Sequence, residues 1–205
     1  MIPGEYFLES EPITINAGTI ISDGIDVKLG YGWANSLGQF RVGLDYTHVR
    51  QYRLIDVPGL ELGLLETGVF DAAGTTGDGN LVRSLPDNRG NIHFNWTRAQ
   101  HSVAVITRLI GSYRDLRYES TWQTGNDLVR SLVRKEIASY QSWDLQYTYA
   151  RDWANASWGT SVFTVGLLDA FNAEIPYRED GAVNYDASVF DGRGRRVYAR
   201  VLLQL

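Results

Sequence analysis

The sequence has 205 residues, a formal net charge of −5 and no cysteine. This length fits one sizeable domain, and the absence of cysteine excludes a disulfide framework, a thiolate metal site and a cysteine nucleophile. Acidic and basic residues are mixed along the chain, so a surface for nucleic acid or for an anionic membrane is not expected. No apolar run approaches the roughly 18–20 residues that a membrane-spanning helix requires.

The chain begins with a short polar segment. Residues 1–12 contain Pro3 and Pro12 and are predicted to form a loop. This segment has neither the basic region nor the apolar region of an export signal, so we expect the natural N-terminus to lie upstream.

A clear strand pattern follows. Alternate residues from Ile25 to Trp33 are apolar, and the residues between them are polar or small. This period of two predicts a β-strand with two different faces, which we place over residues 13–34. The turn-forming residues 35–38 then lead into a second alternating segment over residues 40–47, so the sequence predicts a β-hairpin.

Five further segments show the same alternation, which brings the predicted number of strands to seven. They lie at residues 91–97, 103–113, 142–149, 158–168 and 197–205. The last of them alternates to the end of the sequence. We expect it to be paired on both sides, because an exposed strand edge is a liability.

The connections between the predicted strands alternate in length. Short turns are predicted at residues 35–38, 99–101 and 152–157, and segments without a strand pattern occupy residues 54–88, 116–137 and 172–193. In an antiparallel sheet the short turns would all lie at one end and the long loops at the other. Outer-membrane barrels have this asymmetry. The sequence therefore predicts an all-β chain that forms an antiparallel transmembrane β-barrel segment.

Aromatic residues cluster near the short turns. They are Trp33, Phe40, Trp96, Tyr149, Trp153 and Trp158. Amphipathic aromatic rings prefer the level of the lipid headgroups, so this cluster predicts a girdle at one membrane surface. The alternative is that aromatic residues are simply frequent in strands.

The second face of the predicted strands carries charges. It includes Asp26, Lys28, Arg41, Asp45, Arg108, Asp144, Arg196 and Arg200. Such a face borders either bulk solvent or a water-filled lumen. The asymmetry of the loops favours the lumen.

Several motifs resemble the C-terminal part of TonB-dependent outer-membrane receptors. They are residues 16–19 (NAGT), 24–26 (GID), 85–86 (LP), 143–147 (WDLQY), 165–171 (VGLLDAF), 175–176 (IP) and 192–195 (GRGR), and the resemblance covers residues 13–205. It implies a location in the outer membrane of a Gram-negative bacterium, in contact with lipid. It also implies a large barrel, closed by an N-terminal plug domain, that imports a scarce ligand such as a siderophore or a carbohydrate with energy from TonB.

The resemblance also implies what the chain lacks and where it departs from the family. The plug domain and the TonB-contacting segment have no counterpart, so contact with TonB would require a missing N-terminal part. The remainder of the barrel would be a further partner. Leu205 stands where the family ends in an aromatic residue, and Asp169 and Asn172 stand where the family motif has Asn and Asp.

Two alternatives stay open at this point. If residues 22–24 form a hairpin turn, the chain has eight strands and could be a small complete barrel with a structural or adhesive role, since complete bacterial barrels have an even strand number. The other alternative is a soluble all-β binding domain. In that case the apolar face of each strand would pack against a second sheet.

Known catalytic and metal-binding motifs are absent from the sequence. The histidines His48, His93 and His101 have no metal-ligand spacing, no serine lies in a nucleophile motif, and Asp71, Asp78 and Asn80 fall short of a calcium loop. We therefore predict no enzymatic activity, no cofactor, and no catalytic or metal-binding residue. Aromatic side chains in the long segments could contact a ligand, although mutual packing is an equally good explanation; they are Tyr52, Tyr118, Trp122, Tyr177 and Tyr185. No ligand-binding residue is assigned.

Overall fold

The computed structural model describes residues 18–56, 69–77, 84–122, 128–153, 159–179 and 183–204. The strands in this part of the chain are β1 (Thr19–Asn35), β2 (Gly38–Ile55), β3 (Val69–Asp71), β4 (Thr75–Gly77), β5 (Asn88–Arg98), β6 (His101–Ile110), β7 (Tyr113–Trp122), β8 (Leu128–Ile137), β9 (Tyr140–Asp152), β10 (Thr160–Leu168) and β11 (Arg196–Gln204). The prediction of an all-β chain is confirmed. The described residues include no helix with the length and hydropathy needed to span a bilayer.

The main sheet has the order β1-β2-β5-β6-β9-β10-β11, and every neighbouring pair is antiparallel. These are the seven strands that the sequence predicts, while β3 adds a short pairing to β2. Residues 36–37, 99–100 and 153–159 connect strands at one end of the sheet, and residues 56–87, 111–139 and 169–195 connect them at the other. The two ends are called the turn end and the loop end below. The predicted alternation of short and long connections is confirmed.

The long connections are more ordered than the sequence predicts. Strands β7 and β8 form an antiparallel hairpin within the connection from β6 to β9, and β4 pairs with β7 in parallel. The prediction of a loop at residues 116–137 is therefore wrong. Charged residues occur on both faces of β7 and β8, so the hairpin has no apolar stripe for a periodicity argument to detect.

The structure also excludes a hairpin at residues 22–24. Strand β1 runs through them without reversing, and only a shift of register occurs between Asp23 and Gly24. A β-bulge of this kind bends a strand instead of ending it. A Cβ atom on Gly24 would lie 2.4 Å from the carbonyl oxygen of His48, so the close approach of the two strands requires glycine. The eight-stranded alternative is therefore wrong in its strand assignment.

The buried apolar residues lie at the loop end of the main sheet. One cluster contains Leu54, Phe70, Ala72 and Leu116, and the other contains Tyr113, Ile137 and Phe190. Both clusters pack the long connections against each other and against the ends of the sheet strands. The middle of the sheet takes no part in either cluster.

Candidate functional site

One face of the main sheet is apolar across all seven strands. Residues directly opposite each other on antiparallel strands share a face, and the registers align two complete rows on this apolar face. The first row is Trp33, Phe40, Trp96, Val103, Tyr147, Val165 and Ala199, and the second is Tyr31, Val42, Phe94, Val105, Leu145, Leu167 and Val197.

Many side chains of the apolar face are exposed. Leu29 is 61% exposed, Val165 is 52% exposed and Val197 is 76% exposed. Soluble monomers rarely expose contiguous apolar patches beyond a few hundred Å². An exposed apolar face of this extent is typical of a surface that contacts a membrane, another protein or a ligand.

The opposite face of the sheet is polar. All eight charged residues that the sequence assigns to the second face lie on it. Lys28 forms an ion pair with Asp45 at 3.5 Å, and Arg108 forms one with Asp144. Asp144 is only 7% exposed and also accepts a hydrogen bond from the backbone N–H of Asp169. The Asp144 carboxylate is thus more buried than many apolar side chains on the other face.

Two aromatic side chains on the polar face lie across glycines of neighbouring strands. Tyr198 covers Gly166 and donates a 2.7 Å hydrogen bond to Gln146 on the next strand. His93 covers Gly43 in the same way, because a Cβ atom on Gly43 would lie 2.2 Å from the imidazole ring. Glycine within a strand often marks a bend or a close approach. On the polar face, the contacts of Tyr198 therefore link β9, β10 and β11, and the contact of His93 links β2 and β5.

The predicted aromatic cluster lies on the apolar face at the turn end. Trp33 stacks on Phe40 with 5.1 Å between ring centroids, and Phe40 is directly opposite Trp96. Tyr149 lies one row nearer the turns, and Trp153 donates a hydrogen bond to Ser161, which belongs to the same face. Trp158 lies outside the described residues.

Polar contacts hold the connection 169–195 against the β7–β8 hairpin at the loop end. The Tyr113 hydroxyl donates a 2.8 Å hydrogen bond to Asp186, and Lys135 forms a 2.6 Å ion pair with Glu179. Asp115 is 1% exposed and pairs with Arg117. The Asp115 carboxylate also lies 3.4 Å from the Arg178 guanidinium of the connection. This pair and the Tyr113–Asp186 hydrogen bond hold the connection in place, because a buried carboxylate is costly to leave unpaired.

The environment of this contact shifts the pKa of two groups. Burial, together with the hydrogen bond to Asp186, raises the pKa of Tyr113 well above its ordinary value. For Asp186, burial acts to raise the pKa, but hydrogen bonds from Ser188, Ser84 and Tyr113 outweigh burial and lower it. The tyrosine thus stays neutral and the aspartate stays charged.

The exposed loop residue Asp191 also has a lowered pKa. Hydrogen bonds from Arg193 lower the pKa of Asp191 far below its ordinary range, and Arg196 forms a second ion pair with the same carboxylate. This arrangement fixes the entry of the chain into β11.

The histidines that the sequence singles out are not brought together. His48 lies 2.9 Å from the Asn88 side-chain oxygen, His93 faces Asp45 on the polar face, and His101 contacts the Tyr147 hydroxyl on the apolar face. Within the described residues no three His, Asp or Glu side chains are placed to hold a metal ion.

The other candidate side chains are scattered over the loop end or undescribed. Asp71 accepts backbone hydrogen bonds, while Asp78 and Asn80 lie outside the described residues. Tyr52 and Tyr185 pack against the apolar clusters and Tyr177 is exposed. The side chains of Tyr118 and Trp122 are not among those described.

Comparison with known proteins found no relative of this chain. The chain has no match among protein-family models, curated proteins or solved structures.

Proposed function

We propose that the main sheet is part of an outer-membrane β-barrel, with its apolar face against lipid and its polar face lining a lumen. The intact protein would be a TonB-dependent receptor that imports a scarce ligand. The barrel proposal is supported by the distribution of residues over the two faces, and the receptor proposal by the sequence motifs alone.

The observation that carries the barrel proposal is the reversal of the usual burial. Soluble sheets place apolar residues inside and charges outside, yet here Leu29 and Val165 are exposed while Asp144 is buried. Transmembrane barrels show this pattern, because their strands alternate between lipid and a wet interior.

The free edges of the sheet also support a larger barrel. Within the described residues, β1 pairs only with β2 and β11 only with β10. In hydrocarbon every backbone N–H and C=O group needs a partner. We propose that strands from the remainder of the barrel occupy both edges.

A soluble all-β binding domain is the weaker alternative. Such a domain would cover the apolar face with a second sheet. The second sheet of this structure is the three-stranded β4-β7-β8, and its apolar contacts belong to the clusters at the loop end. The exposed residues Leu29, Val165 and Val197 gain no cover from it.

The barrel proposal can be tested with single-cysteine variants, because the chain has no cysteine of its own. Lys28→Cys and Leu29→Cys place a fluorescent label on opposite faces of β1, and Arg200→Cys and Val201→Cys do the same on β11. All four positions are exposed. The substitutions are made in the intact natural protein, in which further strands are proposed to pair with β1 and β11, and this protein is reconstituted in lipid nanodiscs. Quenching by brominated lipid is then compared with quenching by aqueous iodide.

The two faces should respond in opposite ways. Labels at positions 29 and 201 should be quenched by brominated lipid, and labels at positions 28 and 200 by iodide. Equal iodide quenching at all four positions would contradict the barrel proposal. Import itself is tested in the intact natural protein, by measuring ligand uptake in cells with and without TonB; uptake that does not depend on TonB rejects the receptor proposal.

A further inference from the structure

The apolar face contains a cleft near the loop end. Its floor is Gly90, and its walls are Tyr46 on β2 and Leu109 on β6, the two residues directly opposite this glycine. Because Gly90 has no side chain, the row of side chains is interrupted between its neighbours. The resulting space of about 520 Å³ also borders Leu44, Asn88 and Gln141, and its size is within the range of about 300–1,000 Å³ found for small-ligand sites.

The cleft is apolar at one end and polar at the other. Leu44 and Leu109 line the part that continues into the apolar face. At the loop end the Tyr46 hydroxyl donates a 2.6 Å hydrogen bond to the Asn88 side chain, and His48 lies 2.9 Å from the same oxygen. A ligand that fits this gradient has an apolar chain and a polar head.

The position of the cleft matches the upper boundary of the apolar band. Asn88 precedes Trp96 by eight residues on β5. At about 3.3 Å per residue and a tilt of about 40°, Asn88 would lie roughly 20 Å above the aromatic cluster, near the limit of a band about 25 Å tall. The polar end would therefore be at the level of lipid headgroups.

Basic side chains lie directly beyond the polar end. Arg114 and Arg134 are exposed and line a second cleft, whose residues Asp87 and Ser112 adjoin Asn88 and Gly111 of the first. Lys135 and Glu136 line it too, and Glu136 is directly opposite Arg114, so its cations outnumber its carboxylates by three to two. Arg114 alternates with Tyr113, whose ring faces the inner cluster with Phe190. Arg114 is therefore on the face of β7 opposite to Tyr113, and its exposed guanidinium can bind a phosphate.

We infer that the Gly90 cleft binds a phosphorylated acyl lipid. One acyl chain lies on Gly90 between Tyr46 and Leu109, and the phosphate contacts Arg114 and Arg134. This inference rests on the proposed membrane location, and it adds a specific lipid site to a face that otherwise contacts bulk lipid.

A Gly90→Val substitution tests the acyl part of the site. A Cβ atom on Gly90 would lie 3.4 Å from the Asp45 carbonyl oxygen and 3.5 Å from the Tyr46 ring, which are ordinary contacts, so the side chain fits and fills the cleft. Gly30→Val is the matched control, because it is also a strand glycine and a Cβ atom there meets nothing within 4 Å. Strand content measured by circular dichroism confirms that both variants fold.

Lipid retention is measured by native mass spectrometry of the intact natural protein in detergent. The probes are dioleoylphosphatidylglycerol, lipid A, and dioleoylglycerol as a chain-matched lipid without phosphate. We expect Gly90→Val to weaken binding of the two phosphorylated probes at least about tenfold, the equivalent of burying roughly two fewer methylene groups, while Gly30→Val leaves binding unchanged. The phosphorylated probe that binds more tightly identifies the lipid class of the natural ligand: phosphatidylglycerol indicates a phospholipid, and lipid A indicates a glycolipid.

The phosphate contact is tested separately with the Arg114→Ala/Arg134→Ala variant. It should weaken binding of phosphatidylglycerol and lipid A but not of dioleoylglycerol; an equal effect on all three rejects the headgroup contact. Wild-type chain that retains none of the probes, or Gly90→Val that retains them as well as wild type, overturns the site. If lipid binding is not found, the label at position 29 separates the two proposals. Quenching of this label by brominated lipid means that only the lipid site is rejected, whereas quenching by iodide means that the membrane location itself is rejected.

Discussion

Placing a charge on the apolar face at mid-depth would distinguish a bilayer from water around this sheet. Ile92 is 40% exposed on β5, which has neighbours on both sides in the main sheet. It precedes Trp96 by four residues, so at about 3.3 Å per residue and a tilt of about 40° it lies roughly 10 Å above the aromatic cluster. That height is close to the middle of a band about 25 Å tall.

The expected cost of Ile92→Arg depends on the surrounding medium. At a bilayer midplane, arginine on the lipid face destabilises a barrel by about 2–4 kcal/mol. At a partly exposed site in water, a surface substitution usually changes stability by no more than about 0.5 kcal/mol. The matched control is Asn91→Arg, which is exposed on the polar face between Asp45 and Arg108, whose opposite charges offset each other.

The assay is urea-dependent unfolding of the intact natural protein from lipid vesicles, followed by tryptophan fluorescence. Ile92→Arg should lower the free energy of unfolding by at least about 2 kcal/mol relative to Asn91→Arg. Equal values for the two variants would show that Ile92 is not in hydrocarbon, and the assignment of the apolar face to lipid would be refuted.

Two further predictions concern the polar face and the loop end. Gly166→Val would place a Cβ atom 2.4 Å from the Tyr198 ring and should lower the free energy of unfolding by about 1–3 kcal/mol through overpacking. In a double-mutant cycle, Tyr198→Ala should restore most of that loss. Strictly additive effects of the two substitutions would contradict the contact. Because burial and Asp186 raise the pKa of Tyr113 above its ordinary value of 10.0, the stability linked to this group is complete below about pH 10 and is lost as the pH rises further. Tyr113→Phe should therefore lower the free energy of unfolding by about 1 kcal/mol at pH 8. Measured by urea unfolding above pH 10, the variant should lose less stability with rising pH than the wild type. An equal loss in both proteins would show that Tyr113 is not responsible.

The main sheet could be predicted from the sequence, but its loop-end structure could not. The alternation of Ile25, Val27 and Leu29 with polar residues is a local property, because successive side chains of any strand point to opposite faces. The β7–β8 hairpin lacked this signal, since Arg114 and Asp115 place charges on both of its faces. Its position depends on backbone pairing and on contacts with the connection 169–195.

The candidate lipid site could not be predicted from the sequence either. Gly90 is one of many glycines, and nothing near it in the chain indicates a cleft. The cleft exists because the strand registers place Tyr46 and Leu109 on either side of it. The same reason explains why the contacts of Tyr198 with Gly166 and of His93 with Gly43 were not anticipated.

The sequence by itself determined the all-β class, the seven strands of the main sheet, the short connections at one end and the division into an apolar and a polar face. These follow from local rules: a period of two sets the faces, and turn-forming residues set the reversals. Only the tertiary structure decided that β1 passes through residues 22–24 with a bulge, that β7 and β8 form a hairpin, and that Gly90 opens a cleft. Those features depend on register and on packing between residues far apart in the chain, which local periodicity does not encode.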